Sequence, residues 1–141
     1  MQDAHDLGLI LDSQVPLVAI QSYEEKRVLD LLMQVTNKRS LPMQVWSMTE
    51  GLRSMGFAMG EPDGANLQDP ETALNAIKNT TCKGVFVLCD FHPFLNGDHP
   101  KLVRLLKDII LQYDHINRTI VLLSYAVEPP PELRRQCATF E

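Results

Sequence analysis

Gly84-Val85-Phe86-Val87-Leu88-Cys89-Asp90, followed by Phe91-His92-Pro93-Phe94, is the stretch on which the fold turns. Its apolar run from Val85 to Cys89 is too short for a buried helix and too uniform for a strand with one wet face. Such a run reads as the central strand of a parallel sheet, covered on both faces. An acid at the carboxyl end of that strand faces the crevice in which open α/β sheets bind ligands. Asp90 therefore stands where a nucleotide hydrolase holds its Mg²⁺.

Working outward, Asp69-Pro70-Glu71 starts a helix before this strand: aspartate caps, proline tolerates the first helical position, and glutamate complements the dipole. After the strand, Pro100 opens a helix whose Leu102, Val103, Leu105, Leu106, Ile109 and Ile110 share one face. Arg118 to Ser124 is the next strand. Pro129-Pro130-Pro131 closes it, and Glu132 to Arg135 begins a further element cut short by the end of the chain.

Towards the N-terminus, Leu7 to Leu11 predicts a short helix that Pro16 breaks, and Leu17-Val18-Ala19-Ile20 a buried strand. Ser22-Tyr23-Glu24-Glu25 reads as a capping box for a helix carrying Val28, Leu31, Leu32 and Val35. Met43 to Met48 alternates, as an outer strand does. From Thr49 to Asp69 the pattern is irregular, either a functional loop or a hairpin excursion. The hairpin's arms would be Arg53 to Met59 and Ala65 to Leu67, with a turn at Glu61-Pro62-Asp63-Gly64. The alternation of strands and helices predicts one α/β domain over residues 1–141, a three-layer, mostly parallel sheet of four to five strands with helices on both faces.

The chemistry of a nucleotidase is missing from this frame. A P-loop needs Gly-x-x-x-x-Gly-Lys-Ser/Thr between first strand and helix, so that bare amides wrap the phosphates and lysine neutralises them. Here the loop is Gln21-Ser22, followed by Glu24 and Glu25, which repel phosphate. Asp90 resembles a Walker B aspartate, but Phe91 follows where the hydrolytic glutamate belongs. Asp90 then reads as a cap or anchor, and no catalytic residue is assigned. A phospho-acceptor receiver would share Asp90 and the hydroxyl of Ser124, yet it lacks the acidic pair at Gln21-Ser22 and shows no fifth strand. Cys89, Asp90, His92 and His99 have no ligand-pair spacing, so no metal is expected. Cys82, Cys89 and Cys137, an odd number, read as reduced thiols. Met55, Phe57 and Met59, if carried outward by the excursion, form an adaptable partner-binding surface.

A net charge of -5 and a pI near 5.3 offer no basic field for nucleic acid. No apolar run approaches the roughly 20 residues that span a bilayer. Met1 to Asp6 carry acids where a signal peptide carries bases, so a soluble cytoplasmic protein is expected.

Several segments recur together in order: Pro16 to Ile20 with Glu24-Glu25 and Arg27-Val28; Val45 to Gly51; Asp69-Pro70-Glu71 with Ala73-Leu74. They continue with Val87 to His92 and Phe94-Leu95, Val103-Arg104 with Leu106 to Asp108, and Pro131-Glu132-Leu133. Across nearly the whole chain this resembles the N-terminal region of the AAA ATPases of the cyanobacterial and chloroplast type and their bacterial relatives. The resemblance implies a degenerate RecA-like domain placed before a complete AAA module, which would supply ATP and Mg²⁺ binding and which this sequence does not contain. It implies a non-catalytic regulatory or assembly role. The partners would be the domain's own AAA module, neighbouring subunits, and a protein substrate or regulator. Asp90, Phe91 and His92 match a signature of the family. The alternative is a small-ligand sensor or receiver-like domain using the crevice at Asp90, His92 and Ser124.

Overall fold

The computed structural model describes residues 2–55, 67–80 and 83–140. In chain order these form α1 (Gln2–Asp12), β1 (Leu17–Gln21), α2 (Glu25–Lys38), β2 (Met43–Ser47) and β3 (Gly51–Met55). They continue with α3 (Pro70–Lys78), β4 (Gly84–Cys89), α4 (Pro100–Leu111), β5 (Arg118–Ser124) and β6 (Cys137–Phe140). Six strands make one sheet in the order β3-β2-β4-β5-β1-β6, parallel at every pairing except β2 with β3. The fold is α/β with a mostly parallel sheet and RecA-like topology.

Strand alternation divides the side chains between two cores. Leu17, Phe86, Leu88, Ile120 and Leu122 point to the face covered by α3 and α4, where they meet Leu74, Ile77, Leu106 and Ile109. Val18, Ile20, Val85, Val87, Val121 and Leu123 point to the opposite face and pack on Leu7, Val28, Leu32 and Val35 of α1 and α2. All six residues of β4 and all seven of β5 are buried, as a doubly covered sheet requires.

The sheet has six strands where four to five were expected, and both additions lie at its edges. β3 follows β2 through a tight turn, with Gly51 at φ 72 and Met43 opposite Met55. The described hairpin is formed by β2 and β3, so β3 occupies the start of the predicted excursion and pairs back with β2 rather than with an arm at Ala65 to Leu67. The predicted turn at Glu61 to Gly64 and most of both predicted arms lie outside the described residues. β6 completes the other edge. The further element expected at Glu132 to Arg135 is a 3-10 helix, Pro131–Gln136, and the chain then continues into β6, pairing Leu17 with Cys137 and Ile20 with Phe140.

Local signals fared unevenly. Asp69 caps α3 as expected, its carboxylate accepting the Thr72 N–H at 3.0 Å. The capping box at Ser22 does not form, because α2 begins at Glu25. Ser22 Oγ instead accepts the Glu24 N–H at 3.0 Å, a turn that ends before the helix starts.

Arg118, first residue of β5, is fully buried, with no carboxylate partner among the described residues. Its Nη1 donates to the carbonyls of Ile77 and Lys78, the last residues of α3, and its Nη2 to Gln112 Oε1, each at 2.6 Å. A cation at a helix C-terminus satisfies carbonyls that have no intrahelical partner. Burial depresses its pKa.

Candidate site at the carboxyl edge of the sheet

β1, β4 and β5 end side by side, and their ends are tied together by the backbone. The Ser22 N–H donates to the Ser124 carbonyl at 3.0 Å, and the Asp90 N–H to the Leu123 carbonyl at 2.9 Å. The connection from β1 to α2 is only residues 22–24, and its first amide is already engaged. The loop carries no glycine or lysine, and its Glu24 N–H is taken up by Ser22 Oγ at 3.0 Å.

Asp90 leaves β4 with φ 54, in the left-handed region that aspartate tolerates better than most residues. Its side chain is exposed and has no hydrogen-bond or ion-pair partner among the described residues. The expected anchoring role for the carboxylate is therefore corrected: the turn is held by the Asp90 main chain, and the positive φ directs the side chain outward.

The other predicted residues separate. Phe91 is buried at 1% exposure, with Trp46 and Phe94 against it at ring distances of 5.2 and 5.4 Å, so it belongs to the core. Trp46 is fixed in turn by donating to the Leu67 carbonyl at 2.8 Å. Ser124 is buried, and its hydroxyl accepts the Ala126 N–H at 3.2 Å. Its oxygen is committed to the local turn. Met55 closes β3, on the far edge of the sheet, while Phe57 and Met59 lie outside the described residues.

His92 does face an opening. Its ring stands edge-on to Tyr125 at 5.2 Å, and Tyr125 stacks on Tyr23 at 5.9 Å. Tyr23 and Tyr125 are 88% and 51% exposed, an aromatic pair held on the surface. Beside it a cleft of about 690 Å³ is lined by Gln21, His92, Leu95, Asn96, Ala126 to Pro131 and Arg134. The His92 ring lines this cleft, and its Nδ1 is buried with no partner among the described residues. A smaller cavity of about 350 Å³ at Pro42, Gln44 and Lys83 lies by the start of β4, the edge away from which parallel sheets place their ligands.

Cys89 points into the α1/α2 core, away from the cleft. Burial, reinforced by the charges of Glu25 and Asp90, pushes its thiol up to about 12, so no thiolate nucleophile forms near neutral pH. Among the described residues, no three His, Cys, Asp or Glu side chains are grouped to hold a metal, and no helix is long and apolar enough to cross a membrane.

The receiver alternative fails on topology. In the receiver order 2-1-3-4-5 the first strand lies between the second and third parallel strands. Here β1 lies between β5 and β6. Gln21, Tyr23, Tyr125 and Arg134 were not foreseen as site residues. Gln21 had a signal, a polar residue at the carboxyl end of a buried strand. Arg134 had none, since the 3-10 helix and β6 alone bring it to the cleft.

A family model described as the N-terminal domain of SpoVK-like AAA ATPases matches residues 3–141. No curated protein and no solved structure matches the chain.

Proposed function

This chain belongs to the family of N-terminal domains of SpoVK-like AAA ATPases, and from that membership we propose that it is a non-catalytic domain that regulates or assembles a cytoplasmic ATPase. The ATP and Mg²⁺ of that enzyme then belong to a separate AAA module, and the domain's partners are that module, neighbouring subunits, and a protein substrate or regulator. The observation that carries this reading is the closed β1–α2 connection. Ser22 gives its amide to Ser124, and Glu24 and Glu25 follow where phosphate oxygens need donors. The residue after Asp90 is Phe91, turned into the core, so that position offers no carboxylate to activate water.

Isothermal titration of this chain with Mg·ATP is expected to show no tight binding. Tight, Mg²⁺-dependent binding overturns the reading. The positive arm compares the full-length ATPase with a form lacking residues 1–141, which should differ in turnover rate or subunit number.

A second reading, a small-ligand sensor, is favoured by the cleft beside His92. It is compatible with the first, since occupancy of the cleft could set the regulation. The site would be Gln21, His92 and Arg134, with Asp90 and Ser124 outside it.

A further inference from the structure

We propose that the cleft at the carboxyl edge of the sheet binds the carboxylate of an apolar-bodied ligand, either a small organic acid or the free C-terminus of a peptide. The proposal deepens the ligand-sensing reading and rests on it, not on the regulation of an ATPase.

The walls supply the apolar part. Leu95, Val127 and the three consecutive prolines 129–131 line the cleft, and Pro130 is buried while Leu95, Val127 and Pro129 are half-buried. Prolines present fixed apolar surface and no amide donor, so the wall has little conformational freedom to lose when a ligand packs on it. A volume of about 690 Å³ lies in the range of small-molecule and peptide sites.

The polar groups that line the cleft are few. His92 Nδ1 is buried without a partner among the described residues, and an imidazole nitrogen can carry a proton to donate. Tyr125 meets the His92 ring edge-on, which restricts its orientation. Arg134 is exposed on the rim, and its guanidinium has no ion-pair or hydrogen-bond partner among the described residues. Asn96 is already committed, with Nδ2 donating to the Pro93 carbonyl and Oδ1 accepting the Asp98 N–H. Gln21 remains, exposed at the end of β1.

Charge selects among anions. A guanidinium fork and an imidazole N–H suit the two oxygens of a carboxylate. Glu128 lines the same cleft and repels a phosphate dianion more than a monocarboxylate, and a monocarboxylate with an adjacent amide N–H can also use Glu128 as acceptor. N-acylated amino acids and peptide C-termini share that chemistry.

The test uses amide NMR of the ¹⁵N-labelled chain titrated with N-acetyl-leucine and with N-acetyl-leucinamide. A parallel pair is an acetylated tetrapeptide ending in leucine, with free or amidated C-terminus. The free acids should give saturable shifts at Gln21, His92, Ala126 and Arg134, with at least tenfold weaker binding of the amides. Arg134→Gln should abolish that preference, while Arg104→Gln, a basic residue outside this cleft, should preserve it. Tighter binding of the tetrapeptide identifies a peptide terminus, and equal binding a small acid. No saturable shift at the cleft, or equal binding of acid and amide, overturns the proposal. Because binding is measured on the chain alone, such a failure leaves the ATPase-regulating reading untouched, and a failed ATPase comparison leaves this one untouched.

Discussion

At the scale of single residues, two positions carry charge for opposite reasons. Arg118 is buried and serves the fold, since its guanidinium satisfies the Ile77 and Lys78 carbonyls and Gln112 in one stroke. Arg118→Ala leaves those acceptors buried and unpaired, at about 1–3 kcal/mol for each group left without water. Urea unfolding should therefore show a loss of about 3 kcal/mol. Asp90 is exposed, and its identity answers to the backbone. At φ 54 a glycine fits without strain and a β-branched residue does not. Asp90→Gly should leave the melting temperature nearly unchanged, and Asp90→Val should destabilise by about 1–2 kcal/mol. If Asp90→Gly instead abolished regulation of the full-length ATPase while leaving stability intact, the carboxylate would have a contact in the assembly that the chain alone lacks.

At the scale of elements, α1 packs on α2 through Leu7 and is also tied to the end of α2 by a bidentate pair, Arg39 Nε and Nη2 to the two Asp12 oxygens at 2.8 and 2.9 Å. Arg39 lies over Gly8, where a Cβ would come within 2.5 Å of its Nη2. The side-chain hydrogen bond from Arg39 lowers the Asp12 pKa. A depressed carboxylate contributes stability above its unfolded value of about 4 and loses it as the pH falls through the lower folded value. Lowering the pH from 6 to 3 should move the α1 ¹³Cα shifts towards coil in the wild type. Asp12→Asn should show the looser α1 already at pH 6, with a smaller pH response.

The elements also mark what the sequence could tell. β1, β4 and β5 were legible because a doubly covered strand leaves an unbroken apolar run, and α3 because its cap lies wholly within Asp69 to Thr72. β3 and β6 were not, because edge strands are short and only partly buried, and β6 gains its strand character by pairing with β1 at the other end of the chain. The site followed the same division. The crevice could be placed from the end of β4, but which side chains enter it depended on the positive φ at Asp90, the inward turn of Phe91, and the late approach of Arg134.

At the scale of the molecule, two cores share one sheet. Leu32 packs among α1 and α2, and Trp46 lies on the opposite face with Phe91 and the α3/α4 side chains. β1 and β4 contribute alternate residues to both cores, so neither face can lose its packing without loosening strands that the other needs. Leu32→Ala should cost about 3 kcal/mol, the usual scale for a buried leucine truncated in a packed core. If the sheet couples the faces, that loss shifts the urea midpoint reported by Trp46 fluorescence as much as the midpoint reported by far-UV circular dichroism. A Trp46 midpoint that stayed in place while the circular dichroism midpoint fell would mean that the α1/α2 layer unfolds by itself. For a domain proposed to transmit a signal to an ATPase the difference has consequences. A coupled sheet carries a perturbation at the carboxyl-edge cleft to both helical layers, whereas an independent α1/α2 layer confines it to the face of α3 and α4.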